Sequence, residues 1–273
     1  MREMIKMTGS PEIPGFTLLE RCGRGSAGEV WLGYDRKKKL QAVRMVSKRR
    51  NPVLAAAERR GVQLYRPYSG RQANLMKILE VGETADYLYC ITEPADNISR
   101  ERGCYVPDTL ERRLESGRLT SAEILNCLKS ILDGICYLHE RRISHGDLKP
   151  ENILFVNGVL KIGDPGLVSS LDSYCSGGSA GFRPPWNARG KECDIYAFGK
   201  MIYMLCTQEN PRHFPEIPEQ CDLSEFMPLN EIALRCCEYS PRRRFRDAGE
   251  IRQALDRVRN GRPARQDLRR RAE

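Results

Sequence analysis

Short apolar runs separated by turn signals fill the chain from Phe16 to about Glu93. FTLLERC, EVWLGYD and LQAVRMV are rich in β-branched and aromatic residues and read as strands. AAAERRGVQLY spaces its apolar positions as one helix face does, and LMKILEV and YLYCITE resume the strand pattern. From Asp108 onward the period becomes helical. TSAEILNCLKSILDGICYLHERR carries apolar residues at i, i+3 and i+4 behind a Thr-Ser cap. DIYAFGKMIYMLCT is apolar all round and predicts a central buried helix, and LNEIALRCCEY and DAGEIRQALDRV predict two amphipathic ones. Strands followed by helices, joined near Glu93 to Asn97, predict an α+β fold with two lobes. No internal repeat is visible.

One hairpin interrupts the helical part. In SHGDLKPENILFVNGVLKIGDPG, the runs ILF and VLKI flank Asn157-Gly158, a pair suited to the positive backbone angles of a tight turn. Asp147, Lys149 and Asn152 fall at one base of this hairpin, and Asp164 falls just past the other. Near the N-terminus, GRGSAGEV sets Gly23, Gly25 and Gly28 in a turn where backbone amides can approach phosphate oxygens. The strand-like EVWLGYD follows it directly, so the loop joins two strands and does not open a helix as a dinucleotide fold would.

Together these stretches resemble a eukaryotic-type protein kinase domain of the serine/threonine class, over about residues 16–258. The resemblance rests on the glycine-rich loop, HGDLKPEN at the catalytic loop, DPG at the metal-binding DFG, GSAGFRPPW, DIYAFG with Asp194, and Arg244 in SPRRRF. It implies an N-terminal extension at 1–15, a small lobe at 16–93, a larger lobe at 98–258 and a basic tail at 259–273. It implies ATP and Mg²⁺ as cofactors, and a protein substrate that presents serine or threonine. Asp147 would then orient the substrate hydroxyl and accept its proton, Lys149 would steady the phosphoryl group, and Asn152 and Asp164 would hold magnesium. Cys22, Gly23, Arg24, Gly25, Ser26, Ala27, Gly28 and Val30 would cover the nucleotide. Ala42 and Leu154 would complete its apolar walls, with Thr92 as gatekeeper and the backbone of Glu93 and Ala95 at the adenine edge. Ser179 stands where threonine is common, and the Asp-Leu-Lys order at Lys149 is that of the serine/threonine class.

The sequence departs from the family at four places. Arg44 replaces the third-strand lysine, with Glu58 as its expected helix partner, and Lys48 lies beyond the strand. Gly146 replaces the arginine that receives an activation-loop phosphate, and the segment Leu167–Arg183 is short. Pro165 replaces the DFG phenylalanine. Trp186 replaces the glutamate of Ala-Pro-Glu, which leaves Arg244 without its usual partner and able to stack on the indole. Three functions therefore stay open. One is an ATP-dependent serine/threonine kinase, and the second is a pseudokinase that binds nucleotide or scaffolds without transfer. The third, a small-molecule kinase, is disfavoured by Lys149 and the GSAGF segment.

Composition narrows the setting. The chain has 273 residues, 40% of them hydrophobic, enough for a buried core. No apolar run reaches the roughly 20 residues of a membrane span, and no signal-peptide core opens the chain, so a cytoplasmic protein without membrane insertion is expected. Eleven scattered cysteines with no Cys-x-x-Cys are expected to be reduced, mostly buried thiols and not zinc ligands. The net charge of +9 is concentrated late, at Arg242–Arg244, Arg246, Arg262, Arg265 and Arg269–Arg271. No aromatics are interleaved there, so a nucleic-acid platform is not expected. The oligomeric state, the substrate and the upstream signal are not readable.

Overall fold

The computed structural model describes residues 11–25, 28–101, 103–175, 177–219, 221, 223–262 and 264. The expected loop residues Ser26 and Ala27 lie outside that set, as do Arg265 and Arg269–Arg271 of the tail. In chain order the elements are β1 (Phe16–Gly25), β2 (Gly28–Asp35), β3 (Leu40–Ser47), α1 (Pro52–Tyr65), β4 (Ile78–Glu83), β5 (Tyr87–Thr92), α2 (Leu110–Ser116) and α3 (Ser121–Glu140). They continue with β6 (Ile143–Ser144), β7 (Ile153–Val156), β8 (Val159–Ile162), β9 (Ser169–Ser170), α4 (Gly190–Thr207), α5 (Leu223–Cys236) and α6 (Ala248–Arg259). The class is α+β, strand-rich first and helical later. Every long run read from the apolar pattern overlaps an element of the expected type, although β4 begins only at Ile78, three residues into LMKILEV.

The chain divides into two compact units, residues up to Arg112 with Glu151–Val168, and Arg113–Pro150 with Ser169 onward. In the first unit five antiparallel strands run in the order β1-β2-β3-β5-β4. Their alternation buries Leu18, Trp31, Val43, Met45, Tyr89 and Ile91 on one side. Asn51 caps α1 by accepting from the Leu54 amide at 3.0 Å, and Pro52 occupies the first turn, where its missing N–H costs nothing. The β7–β8 hairpin turns at Asn157 and Gly158, both at positive φ, as their residue types suggest.

In the second unit a full capping box on Thr120 and Glu123 starts α3. Helix α4 is buried on nearly all faces, including Ile195, Phe198, Met201, Ile202 and Tyr203. It packs against α5, and Gly199 permits the approach, since a Cβ there would stand 2.6 Å from that of Cys236. The cysteines are not all reduced thiols: Cys175 and Cys193 form a disulfide. The backbone brings them together, because Tyr174 bridges Arg189 and the Cys175 amide donates to Ala188 O at 2.9 Å. Their separation of 18 residues hid this pairing from the sequence. Among the described residues no helix is long and apolar enough to cross a membrane.

Candidate active site

In the first unit the expected nucleotide-facing residues lie on adjacent strands. Gly23 pairs with Val30, Val30 with Arg44, and Ala42 with Thr92 across the sheet. Gly25 and Gly28 close the β1–β2 ribbon, with Arg24 opposite Glu29. Gly28 has φ +147, and a Cβ there would meet Met45 O at 2.2 Å, so only glycine fits. The Cys22 thiol is pushed up to about 12, chiefly by burial, so it is a poor nucleophile.

Arg44 projects between two carboxylates. Its Nε donates to Glu58 Oε1 at 2.7 Å, its Nη2 to Glu58 Oε2 at 3.3 Å, and its Nη1 lies 3.0 Å from Asp164 Oδ2. Burial works against the charge, but Asp164 and Glu58 more than offset it and hold the guanidinium more firmly protonated than usual. The length of arginine lets one side chain span both acids. Lys48 lies one residue beyond β3 and pairs with Glu83 at 3.4 Å, away from this cluster.

Two glycines let α1 close on the DPG turn. A Cβ on Gly61 would sit 2.7 Å from the carbonyls of Pro165 and Gly166, and one on Gly166 would sit 2.1 Å from Glu58 Oε2. Pro165 opens a 3₁₀ turn, a position that suits its fixed φ and lost donor. Asp164 precedes it in the left-handed region at φ 52, ψ 72, and accepts from the Gly166 amide at 3.4 Å. The Gly163 amide donates to Asn152 O at 2.8 Å, which sets the residue before Asp164 against Asn152. Asn152 and Asp164 thus offer one amide and one carboxylate in one region. Such hard oxygen donors suit Mg²⁺, which keeps waters and phosphate oxygens for its other positions. Among the described residues no cluster of three acidic, histidine or cysteine side chains forms a complete metal cage.

The segment after β5 carries ties the sequence did not reveal. Glu93 accepts from Lys161 Nζ at 2.6 Å and from the Lys77 amide at 3.0 Å. Asp96 accepts from the amides of Asn157 and Gly158, both at 2.8 Å, so it fixes the turn of the β7–β8 hairpin. The Ala95 carbonyl, expected at the adenine edge, accepts from the Tyr105 hydroxyl at 2.8 Å. Leu154 bridges Thr109 and packs under Gly163.

In the second unit Asp194 organises the loop that follows β6. It is 1% exposed and accepts from the His145 amide at 2.9 Å and the Gly146 amide at 2.8 Å. His139 Nε2 stands 2.8 Å from the same carboxylate and donates to it. Gly146 holds φ +82, a left-handed backbone that a side chain would strain. The loop presents Asp147 and Lys149 to Ser179. Ser179 Oγ donates to Asp147 Oδ1 at 2.8 Å, Lys149 Nζ donates to Ser179 Oγ at 2.6 Å, and the same Nζ lies 3.3 Å from Asp147 Oδ2. Burial raises the Asp147 carboxyl, but Lys149, Ser179 and His145 together bring it below the usual aspartate value. A cavity opens beside this trio, lined by Gly146, Asp147, Gly178, Ser179, Phe182 and Arg183 among others.

Arg244 does stack on Trp186, with its guanidinium carbon 4.9 Å from the ring centroid. It also has a carboxylate partner that the sequence did not suggest: Glu192, in the first turn of α4. Its Nη1 donates to Glu238 O at 2.7 Å. Trp186 meets Tyr196 and Tyr239 edge-on, each with centroids 5.4 Å apart.

Comparisons with known proteins identify relatives of the chain. A probable serine/threonine-protein kinase of Dictyostelium discoideum, MARK-A, is 28% identical over 218 residues, which cover 74% of this chain and 19% of that protein. A serine/threonine-protein kinase of Corynebacterium efficiens is 26% identical over 91% of this chain and 51% of its own length. One from Rattus norvegicus is 29% identical over 89% of this chain and 59% of its own length. The chain thus spans between about a fifth and three fifths of the length of these relatives. Residues 16–247 match the protein kinase domain family, to which the chain therefore belongs.

Proposed function

We propose that this chain is an ATP-dependent serine/threonine protein kinase that transfers the γ-phosphoryl group to a protein hydroxyl. The observation that carries the reading is the bond from Ser179 Oγ to Asp147 Oδ1 at 2.8 Å, flanked by Lys149. Asp147 already accepts from one aliphatic hydroxyl and is held ionised, so it can take a substrate hydroxyl in the same way. Lys149 adds a cation at the point where negative charge gathers on the moving phosphoryl group. Arg44, fixed by Glu58, anchors the phosphate chain through its remaining N–H donors. Asn152 and Asp164 are the residues that would hold Mg²⁺. When bound, the ion supplies charge neutralisation on the phosphates.

The test is transfer of radiolabelled phosphate from ATP to the chain itself or to serine and threonine peptides, with Asp147→Asn as control. Transfer well above that control is expected, and transfer equal to it removes the enzyme reading. One observation favours a second reading, a nucleotide-binding pseudokinase. Arg44 neutralises Asp164 directly, at 3.0 Å, and so competes with a metal ion for that carboxylate. Nucleotide titrations followed by thermal melting, with and without Mg²⁺, separate the two. Stabilisation that needs Mg²⁺ supports the kinase, whereas equal stabilisation without it, together with no transfer, leaves the pseudokinase.

A further inference from the structure

The peptide between Ala95 and Asp96 is held at both of its polar ends. Its N–H, on Asp96, donates to Phe155 O of β7 at 2.7 Å, and its carbonyl, on Ala95, accepts from the Tyr105 hydroxyl at 2.8 Å. The next carbonyl is held too, since Asp96 O accepts from the Asp108 amide at 2.8 Å. Tyr105 reaches Ala95 from a loop, residues 98–107, that departs and returns at Asn97. The Asn97 side chain pins both arms of that loop. Its Oδ1 accepts from the Ser99 and Val106 amides, each at 2.9 Å, and its Nδ2 donates to Cys104 O at 3.0 Å. The Ile98 amide adds a bond to Val106 O at 2.9 Å. Cys104 and Val106 flank Tyr105, so these bonds fix the backbone that carries the phenol. Burial holds its hydroxyl protonated beyond the ordinary range, so it stays a donor.

The N–H of Ala95 itself is different. Ala95 is 8% exposed, and among the described residues its amide donates to no protein group. Pro94 before it has no N–H to offer. A buried backbone donor is seldom left alone, so this one points to a ligand. Ala95 thus offers a ligand a free donor beside a carbonyl that is already taken. We infer that Tyr105 sets the base specificity of the nucleotide site: by occupying the Ala95 carbonyl it leaves an edge that serves adenine and rejects guanine. This rests on the kinase reading, which takes Glu93 and Ala95 as the adenine edge. Adenine asks Ala95 for the donor alone, against a ring nitrogen. Guanine turns a carbonyl oxygen and a ring N–H to the same side, so it calls on both groups of Ala95. With the phenol in place the guanine N–H finds no acceptor, and a donor left unpaired at a buried edge is costly.

The experiment measures binding of ATP and of GTP, each with Mg²⁺, by isothermal titration of the full chain and of Tyr105→Phe. The phenyl ring keeps the packing and removes only the hydroxyl. Wild type is expected to prefer ATP by about tenfold or more, the order of one or two hydrogen bonds. In Tyr105→Phe the Ala95 carbonyl is released. GTP binding should then hold or tighten while ATP binding weakens, so that the preference for ATP narrows by about fivefold. A purely structural role would weaken both nucleotides alike. An unchanged ratio in Tyr105→Phe, or a wild type that binds ATP and GTP equally, overturns the inference and leaves the kinase reading standing. A wild type that binds neither nucleotide removes the nucleotide site and the inference together. Inosine triphosphate gives a measurement on wild type alone, in case Tyr105→Phe does not fold. It carries guanine's oxygen and ring N–H without the amino group, so it should be rejected as strongly as GTP. Binding of inosine triphosphate as tight as that of ATP overturns the inference.

Discussion

Arg44 and Asp164 form an ion pair of 3.0 Å while Arg44 also holds Glu58 by two hydrogen bonds. One cation on β3 therefore joins helix α1 to the turn that carries Asp164. Glu58 is 3% exposed at its side chain, so removing Arg44 leaves a buried carboxylate with no counter-charge. Arg44→Met is expected to cost about 3–5 kcal/mol, the range for breaking one side of a buried pair. Arg44→Lys keeps the charge but serves the two acids less well, and should fall between wild type and Arg44→Met. Urea unfolding of the three proteins checks this. A loss below about 1 kcal/mol for Arg44→Met would mean that the network does not hold the unit together.

Asp96 gives a second, independent test. Its carboxylate accepts from both turn amides of the β7–β8 hairpin at 2.8 Å. Asp96→Ala should cost about 2–3 kcal/mol, because it removes two charge-assisted bonds. Amide hydrogen exchange at Asn157 and Gly158 should rise together with that loss. Unchanged exchange at both residues would show that the turn closes without Asp96.

These two clusters also show what the sequence could tell. Strands and helices were legible because apolar period and caps are local, as at Thr120 with Glu123 and at Asn157-Gly158. Arg44 and Glu58 were paired in expectation through the family's order of motifs, and the bidentate contact forms. The third member, Asp164, was read only as a metal ligand, because its contact with Arg44 depends on arginine's length and on the closeness that Gly61 allows. Asp96, Tyr105 and Glu192 carry no local signature. Each acts on a partner that depends on how the chain folds back, 61, 10 and 52 residues away in sequence. The Cys175–Cys193 disulfide escaped for the same reason, since eleven cysteines allow many pairings and only the Tyr174–Arg189 bridge selects one.

The buried and half-buried thiols make stability sensitive to alkali. Burial pushes Cys22, Cys90 and Cys237 up to about 12, and Cys127 and Cys136 up to about 11, from 9.0 in the unfolded chain. Between these limits the folded state keeps protons that the unfolded state releases. Stability contributed by these thiols is therefore complete below pH 9 and declines as the pH rises towards 11 and 12. Each thiol contributes on the order of 1 kcal/mol per pH unit in that window. The urea midpoint is expected to be flat from pH 7 to 8.5 and to drop steeply by pH 10.5. Cys127→Ala with Cys136→Ala should make that drop shallower, and an unchanged slope would count against these two thiols as its source.

Arg244 tests how the second unit holds a buried cation. The side chain is 3% exposed and touches two groups of different kind, the Glu192 carboxylate and the Trp186 ring. If the Glu192 carboxylate is what balances Arg244, Glu192→Gln should cost about 3 kcal/mol, because the buried guanidinium loses its counter-charge and retains only carbonyl acceptors. Trp186→Leu keeps an apolar contact and removes the ring face, a change worth about 1–2 kcal/mol at a desolvated site, with the loss of ring packing against Tyr196 and Tyr239 added to it. The two contacts share one cation, so the double variant should lose less than the sum of the single losses. A double-mutant cycle by urea unfolding measures that difference, which is expected to be at least about 0.5 kcal/mol. Strict additivity would mean that Trp186 acts through its aromatic neighbours alone and that the stacking on Arg244 contributes nothing to stability.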